Sequence, residues 1–353
     1  MRRRISRFLT IMLWVLCIPA LAQTHGDRSP CMTCHSEAMT QPQTQMGRAF
    51  AFSESNPVLG THPRLTFQKG RYIYTIESRG GHSTYSVSDG TQTISVPILW
   101  NFGADAQTWV LQRGDQLYES LVSYYPAIHG LDITTGDERP TPNTLDAAIG
   151  RPLTEMAAKA CFGCHSTNAI SHDKLDFQSL KPGVSCEHCH LGANQHLSDI
   201  LDGKTESIPP DLGKRSSEEI SEFCGKCHRT WETVVRSHWR GEANVRFQPY
   251  RLANSKCFNG ADSRISCIAC HDPHQQVITN ESYYDAKCLA CHSSSIKISK
   301  TSSATNIPTK KSCPISKSNC VSCHMPKVKM LGGHLTYTDH EIRIVKAGEA
   351  YPN

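Results

Sequence analysis

The sequence predicts a chain of two builds: an N-terminal antiparallel β-rich region, then a mostly α and irregular region wrapped around covalently held groups. Three observations predict this. The motif C-x-x-C-H occurs seven times in 353 residues, and six copies fall between Cys161 and His324. Residues 65–122 alternate apolar and polar side chains between Gly/Asp turns. Hydrophobic residues make up only 38% even with the cysteines counted, few for a chain long enough to bury a large core.

The motifs are Cys31, Cys34 and His35; Cys161, Cys164 and His165; Cys186, Cys189 and His190; Cys224, Cys227 and His228; Cys267, Cys270 and His271; Cys288, Cys291 and His292; and Cys320, Cys323 and His324. Two thiols three positions apart can add to the two vinyl groups of one porphyrin. The next residue then offers its imidazole as proximal ligand to the iron. At this chain's cysteine and histidine frequencies, about 0.04 such motifs would arise by chance. Zinc also takes Cys and His ligands, but it would need paired half-sites and would leave the fifth-position histidine unexplained. The expected cofactor is heme c (haem c), seven covalently attached. Porphyrin faces would supply the missing apolar surface, and the apo chain should fold poorly. Charged residues, at 20%, are too few to argue for disorder.

The N-terminus reads as an export signal over residues 1–22. Arg2, Arg3, Arg4 and Arg7 precede an apolar run from Phe8 to Leu21, and Ala20 and Ala22 place cleavage before Gln23. The run is short for a membrane span, which leaves a retained anchor as the alternative. Cys17 follows Leu16, too large for a usual lipoprotein site, and haem attachment after export favours the unfolded-chain route over a twin-arginine one. No other segment is long and apolar enough to cross a bilayer.

Four arginines in residues 1–22 account for most of the +5 net charge and leave +1. Fourteen propionates and seven ferric centres would bring the mature holoprotein to about −6 oxidised and about −13 reduced. Nucleic-acid binding is therefore not expected.

Along the chain, Tyr72, Tyr74 and Ile76 alternate before Gly80-Gly81. Tyr85 and Val87 precede Ser88-Asp89-Gly90, and Ile94, Val96 and Ile98 alternate again. Trp109–Leu111 and Leu117–Val122 flank Gly114-Asp115. These predict about five antiparallel strands. A Thr/Pro/Gly linker at 134–142 ends an N-terminal region, residues 23–142, that carries one haem and the β-rich insert. Residues 143–353 form the six-haem region. There a helix is expected over 144–160, and another over 216–228 capped by Ser216 or Ser217. A Ser/Thr/Lys-rich stretch at 293–312 reads as a loop. The Cys267 unit, preceded by Cys257 and continuing Asp272-Pro273-His274, is partly repeated by the Cys320 unit, preceded by Cys313 but with Lys327 where the histidine would fall.

Seven proximal histidines leave eleven others. A six-coordinate haem needs a second ligand from its opposite face. His196, in a loop after the Cys186 motif, His274, His334 and His340 are the main candidates, and His62 is expected to serve the isolated first haem. His129, His172 and His238 are weaker candidates. His82 in a Gly-rich turn, His188 inside a motif and His25 near the cleaved end are weaker still. Met325 adjoins a proximal histidine and cannot cross to that haem's far face. Cys257 and Cys313 form an even pair in an oxidising compartment, so a disulfide is expected. A thiolate ligand or two thiols are the alternatives.

Cys161-Phe-Gly-Cys-His-Ser-Thr, Gly183-Val-Ser-Cys-Glu-His-Cys-His, Phe223-Cys-Gly-Lys-Cys-His-Arg-Thr-Trp, Cys267 to His274, and Cys320 to Lys327 with Thr338-Asp339-His340 carry a resemblance. From about Thr154 to Ile344 the chain resembles exported multihaem cytochromes c, in the superfamily of the tetrahaem cytochrome of ammonia oxidisers and pentahaem nitrite reductase. The resemblance implies distal roles for His196 and His274. It implies a periplasmic or extracellular heptahaem c-type cytochrome that carries electrons along mostly bis-His haems. Its partners would be other cytochromes or a quinol-linked membrane complex, and oligomerisation stays open. An oxidoreductase acting on a small nitrogen or sulfur oxyanion at a five-coordinate haem is the alternative. The C-x-x-C-K catalytic motif of the pentahaem reductases does not occur here. A subunit of a polymeric haem wire is a third reading.

Overall fold

The computed structural model describes residues 30–137, 139–204, 208–293, 313, 315–330, 332–346 and 348–352. The expected export signal, with Cys17 and His25, lies outside the described residues, as does most of the 293–312 loop.

The chain enters through a 3-10 turn, Pro30–Thr33, and helix α1, Glu37–Thr40. Strand β1, Phe50–Phe52, and helix α2, Pro57–Thr61, follow. Asn56 caps α2 by accepting from the Leu59 amide. The chain then runs through β2 (Arg64–Lys69), β3 (Tyr72–Arg79), β4 (His82–Ser88), β5 (Thr93–Phe102), β6 (Thr108–Arg113) and β7 (Gln116–Ser120). A hairpin of β8 (Val122–Tyr125) and β9 (Gly130–Ile133) closes the run. Helix α3, Leu145–Ile149, leads into β10, Gly150–Pro152.

These strands build an eight-stranded antiparallel sheet of order β10-β7-β6-β5-β4-β3-β2, with β1 added to the far half of β5. The register of β5 against β6 shifts between Ile98 and Trp100. The bulge lets one strand serve two directions. Residues 93–97 pair with β4, and residues 100–102 pair with β1. A bulge bends its strand and raises the local twist, so two cores form. Tyr72, Tyr74, Ile76, Tyr85, Val87, Trp109 and Leu111 fill the first, each fully buried. Phe50, Trp100, Phe102 and Val110 fill the second, together with Phe162.

Phe162 lies on α4, Glu155–His165, which Thr154 caps by accepting from the Ala157 amide. The helix expected over 144–160 is thus two helices separated by a strand. Pro152 has no amide to donate, and it sits where an edge strand tolerates that. Beyond α4 come a short hairpin of β11 (Ile170–Ser171) and β12 (Lys174–Leu175), then α5 (Cys186–Cys189), α6 (Ala193–Leu201), α7 (Ser217–His228), α8 (Trp231–Arg236) and α9 (Gln248–Ala253). Then follow α10 (Cys267–Cys270), α11 (Glu281–His292), α12 (Cys320–His324) and a hairpin of β13 (Lys327–Lys329) and β14 (Thr336–Thr338). Helix α7 starts as expected: Ser216 and Glu219 form a reciprocal capping box.

The mostly α expectation is corrected by this architecture. The described residues are 35% helical and 23% strand, and the large curled sheet spans the middle of the chain. The motif helices are too short to dominate. Strands such as β1 and β10 are three-residue pieces whose partners lie far away in sequence. Among the described residues no helix is long and apolar enough to cross a membrane.

The first motif is remote along the chain but not in space. Gln41 donates its side-chain amide to the Val184 carbonyl at 2.6 Å, and the Val184 amide donates to Met46 at 3.0 Å. Gly183 makes this join feasible: its φ is +62°, and a methyl group there would collide with the Gly47 backbone. We predict that Gly183→Ala destabilises the haem-loaded protein by about 1–3 kcal/mol in chemical denaturation. A change under about 0.5 kcal/mol, typical of a neutral surface substitution, would contradict this join.

Candidate haem-binding cavity

Each motif is one helical turn. His35, His190 and His271 donate their amides to the carbonyls of Cys31, Cys186 and Cys267 at 2.8, 2.8 and 2.9 Å. The other four motifs lie within α4, α7, α11 and α12, each of which ends at the motif histidine. Residues at i, i+3 and i+4 share one face of a helix. The turn therefore presents both thiols and the imidazole on one side, as a porphyrin edge and its iron require.

All seven faces open into one continuous cavity of about 4670 Å³. Shared among seven motifs this is about 670 Å³ each, within the roughly 300–1,000 Å³ of a single small-molecule or cofactor site. The donor set fits haem: paired thiols with an adjacent imidazole, repeated on an apolar wall. Among the described residues no three His, Cys, Asp or Glu side chains converge into a metal-binding group of the zinc kind.

Thiols of different motifs meet across the cavity. Cys31 lies beside Cys186, Cys164 beside Cys227, Cys224 beside Cys267 and Cys288 beside Cys320. Cys189 adds an electrostatic contact to Cys224 and Cys227, and Cys270 one to Cys288. The motifs thus neighbour one another in the order 31, 186, 224, 267, 288, 320, with 161 branching at 224. Burial raises Cys161 to about 11; burial and then Asp285 raise Cys320 to about 12. Both are protonated thiols at neutral pH.

Three pairs of imidazoles face each other. His35 and His196 have ring centres 6.5 Å apart, His190 and His274 6.0 Å with planes 9° apart, and His271 and His340 6.1 Å. Two rings trans across one metal would be centred about 6.3 Å apart, from bonds of about 2 Å and rings with C–N bonds of about 1.33 Å. Each pair joins one motif histidine to one candidate from elsewhere in the chain.

Several of these rings are held through Nδ1, which leaves Nε2 for the cavity. His165 donates to the Ala49 carbonyl at 3.2 Å, His324 to Arg343 at 2.8 Å and His340 to Thr338 at 3.0 Å. His274 is held by Asp272 at 3.1 Å. Phe102 stands edge-on to His165 at 5.5 Å, so the sheet itself orients the 161 motif. Burial lowers the pKa of His165, His190, His228 and His271, and holds His340 down at about 4. These imidazoles are neutral at pH 7, the form that binds iron.

Two candidates are placed elsewhere. His62 was expected to partner His35, but its Nδ1 donates to Val58 at 2.8 Å and its ring packs on Tyr124 at 5.0 Å against the sheet. His334 pairs with Asp132 at 2.7 Å, and its ring lies tilted against Tyr125 at 5.1 Å. Neither lines the cavity, whereas His188 does, although its place inside a motif argued against it. The disulfide expected between Cys257 and Cys313 is not formed: both are thiols. Cys257 faces Cys270 and Cys288 of the motif array, while Cys313 is exposed. Sequence reading also missed the groups that hold the imidazoles, because backbone carbonyls such as those of Ala49 and Arg343 leave no residue-type signal.

Residues 136–191 match the family model described as cytochrome c554 and c-prime. The match supports a haem c cytochrome of electron transfer. No curated protein and no solved structure matches the chain.

The amides of Ser316 and Ile315 hold the Cys313 thiol below its ordinary pKa. We predict that iodoacetamide labels Cys313 in the native haem-loaded protein, and that labelling rises with pH earlier than for a model cysteine, because the thiolate is the reactive form. Peptide mass mapping checks this. A Cys257–Cys313 disulfide, resistant to label until reduced, would contradict it.

Proposed function

We propose that this chain is an exported heptahaem c-type cytochrome that carries electrons along a relay held in one cavity. The observation that carries the reading is that all seven C-x-x-C-H turns line the same 4670 Å³ space. When bound, each haem would supply a one-electron iron couple. The motif thiols would hold it by thioethers, and the motif histidine would be its proximal ligand. Distal roles for His196, His274 and His340 are supported by their 6.0–6.5 Å spacing from His35, His190 and His271. Imidazoles offered to a haem from two sides would favour electron transfer over substrate binding at iron.

The neighbour order of the motifs suggests a path from the 31 motif to the 320 motif with a branch to 161. The exposed motif thiols are Cys34, Cys291 and Cys323, which belong to the 31, 288 and 320 motifs. These belong to the first motif and the last two motifs of that path, where partners would deliver and collect electrons. The partners would be other exported cytochromes or a quinol-linked membrane complex. The sheet's place in this reading is to hold α4, and with it the branching 161 motif, through Phe50, Trp100 and Phe102 on Phe162.

Electron paramagnetic resonance of the oxidised protein tests the reading. Low-spin bis-histidine signals should dominate. His196→Ala, His274→Ala and His340→Ala should each convert one haem to high spin, whereas His62→Ala and His334→Ala should leave the spectrum unchanged. A native high-spin haem that binds nitrite or hydroxylamine would sink the pure-carrier reading in favour of catalysis on a small nitrogen oxyanion.

A further inference from the structure

We propose that Arg251 is a positioning residue that sets the axial environment of two motifs at once, by fixing the segment 339–343 against α9. The proposal rests on the ligand reading above and goes beyond it to what holds the ligands. Arg251 is fully buried, as is its partner Asp339. Its Nε donates to Asp339 Oδ1 at 2.8 Å and its Nη2 to Asp339 Oδ2 at 3.0 Å, a two-pronged pair across 88 positions of sequence. Nη2 also meets Glu341 at 2.7 Å, and Nη1 donates to the Pro352 carbonyl at 3.1 Å. One turn along, Ser255 Oγ donates to the His340 carbonyl at 3.1 Å and accepts from the Ile342 amide at 2.8 Å.

The clamped segment serves two motifs. His340 faces His271 at 6.1 Å. Three residues on, the Arg343 carbonyl accepts from His324 Nδ1 at 2.8 Å, and Arg343 itself donates to Asp339 Oδ2 at 2.6 Å. One side of the segment thus presents a distal imidazole, and the other orients a proximal one. Loss of the Arg251 guanidinium would leave the Asp339 charge buried with one cation where it now has two, and a buried charge in that state draws its segment toward water. Lysine could supply charge but not the two-pronged geometry.

The test uses the full-length, haem-loaded protein and compares Arg251→Met with His340→Ala. His340→Ala identifies the low-spin signal that depends on His340. Arg251→Met should lose that same signal, keep those that depend on His196 and His274, and raise the midpoint potential of the haem held by His324, whose Nδ1 hydrogen bond is weakened. If His340→Ala removes a low-spin haem while Arg251→Met leaves every signal and potential unchanged, the clamp is wrong and the ligand reading stands. If His340→Ala changes nothing, the ligand reading fails and the clamp with it. Arg251→Lys and Asp339→Asn settle the case in which Arg251→Met does not accumulate. Selective loss of the His340 signal in either supports the clamp, and its retention in both overturns it.

Discussion

A half-open cavity of about 4670 Å³, lined by all seven motifs, is the feature on which the rest of the structure depends. Here the chain has spent its apolar residues elsewhere. Its two sheet cores are closed by aromatic and branched side chains, while the motif region is walled by helices of four to twelve residues. The low hydrophobic content and the shared cavity fit the proposed function, in which a large apolar cofactor array would complete the fold and attachment would be coupled to folding, as in metal domains whose binding energy is folding energy.

The two builds divide the labour physically. A β-sheet is stiff, and its bulge at Ile98–Trp100 turns one strand end toward α4. That end supplies the Phe102 ring beside His165, and the residue before β1 supplies the Ala49 carbonyl that orients it. At the other extremity a buried ion-pair cluster does the same for the C-terminal motifs. Removing one member of a buried pair costs about 3–5 kcal/mol, far more than an exposed pair contributes. Ordered scaffolding at both ends would suit the proposed carrier, whose centres must keep fixed spacings.

What could be read from sequence was local. A C-x-x-C-H turn is complete within five residues, so its chemistry is legible without a fold. The alternation of Tyr72, Tyr74 and Ile76, or of Tyr85 and Val87, is likewise a short-range record of a pleated face, and all five side chains are buried. The capping box at Ser216 and Glu219 is another. What was not legible is decided at long range. His62 is the histidine nearest the first motif on its C-terminal side, yet His196 is the one that faces His35. Strands β1 and β10 are too short to show a period, so the sheet was undercounted and the α and irregular part was given too much weight. Arg251 and Asp339 stand 88 positions apart, and nothing in either neighbourhood announces the pair.

The central claim is that one chain fills one cavity with seven covalently attached haems. Intact mass of the purified protein under denaturing conditions tests it most directly, because thioether-bound haem stays with the chain when the fold is lost. The account predicts a single species carrying seven haem additions on a polypeptide that begins near Gln23. A chain that sheds its haem on denaturation, or that carries fewer than seven additions, would contradict it.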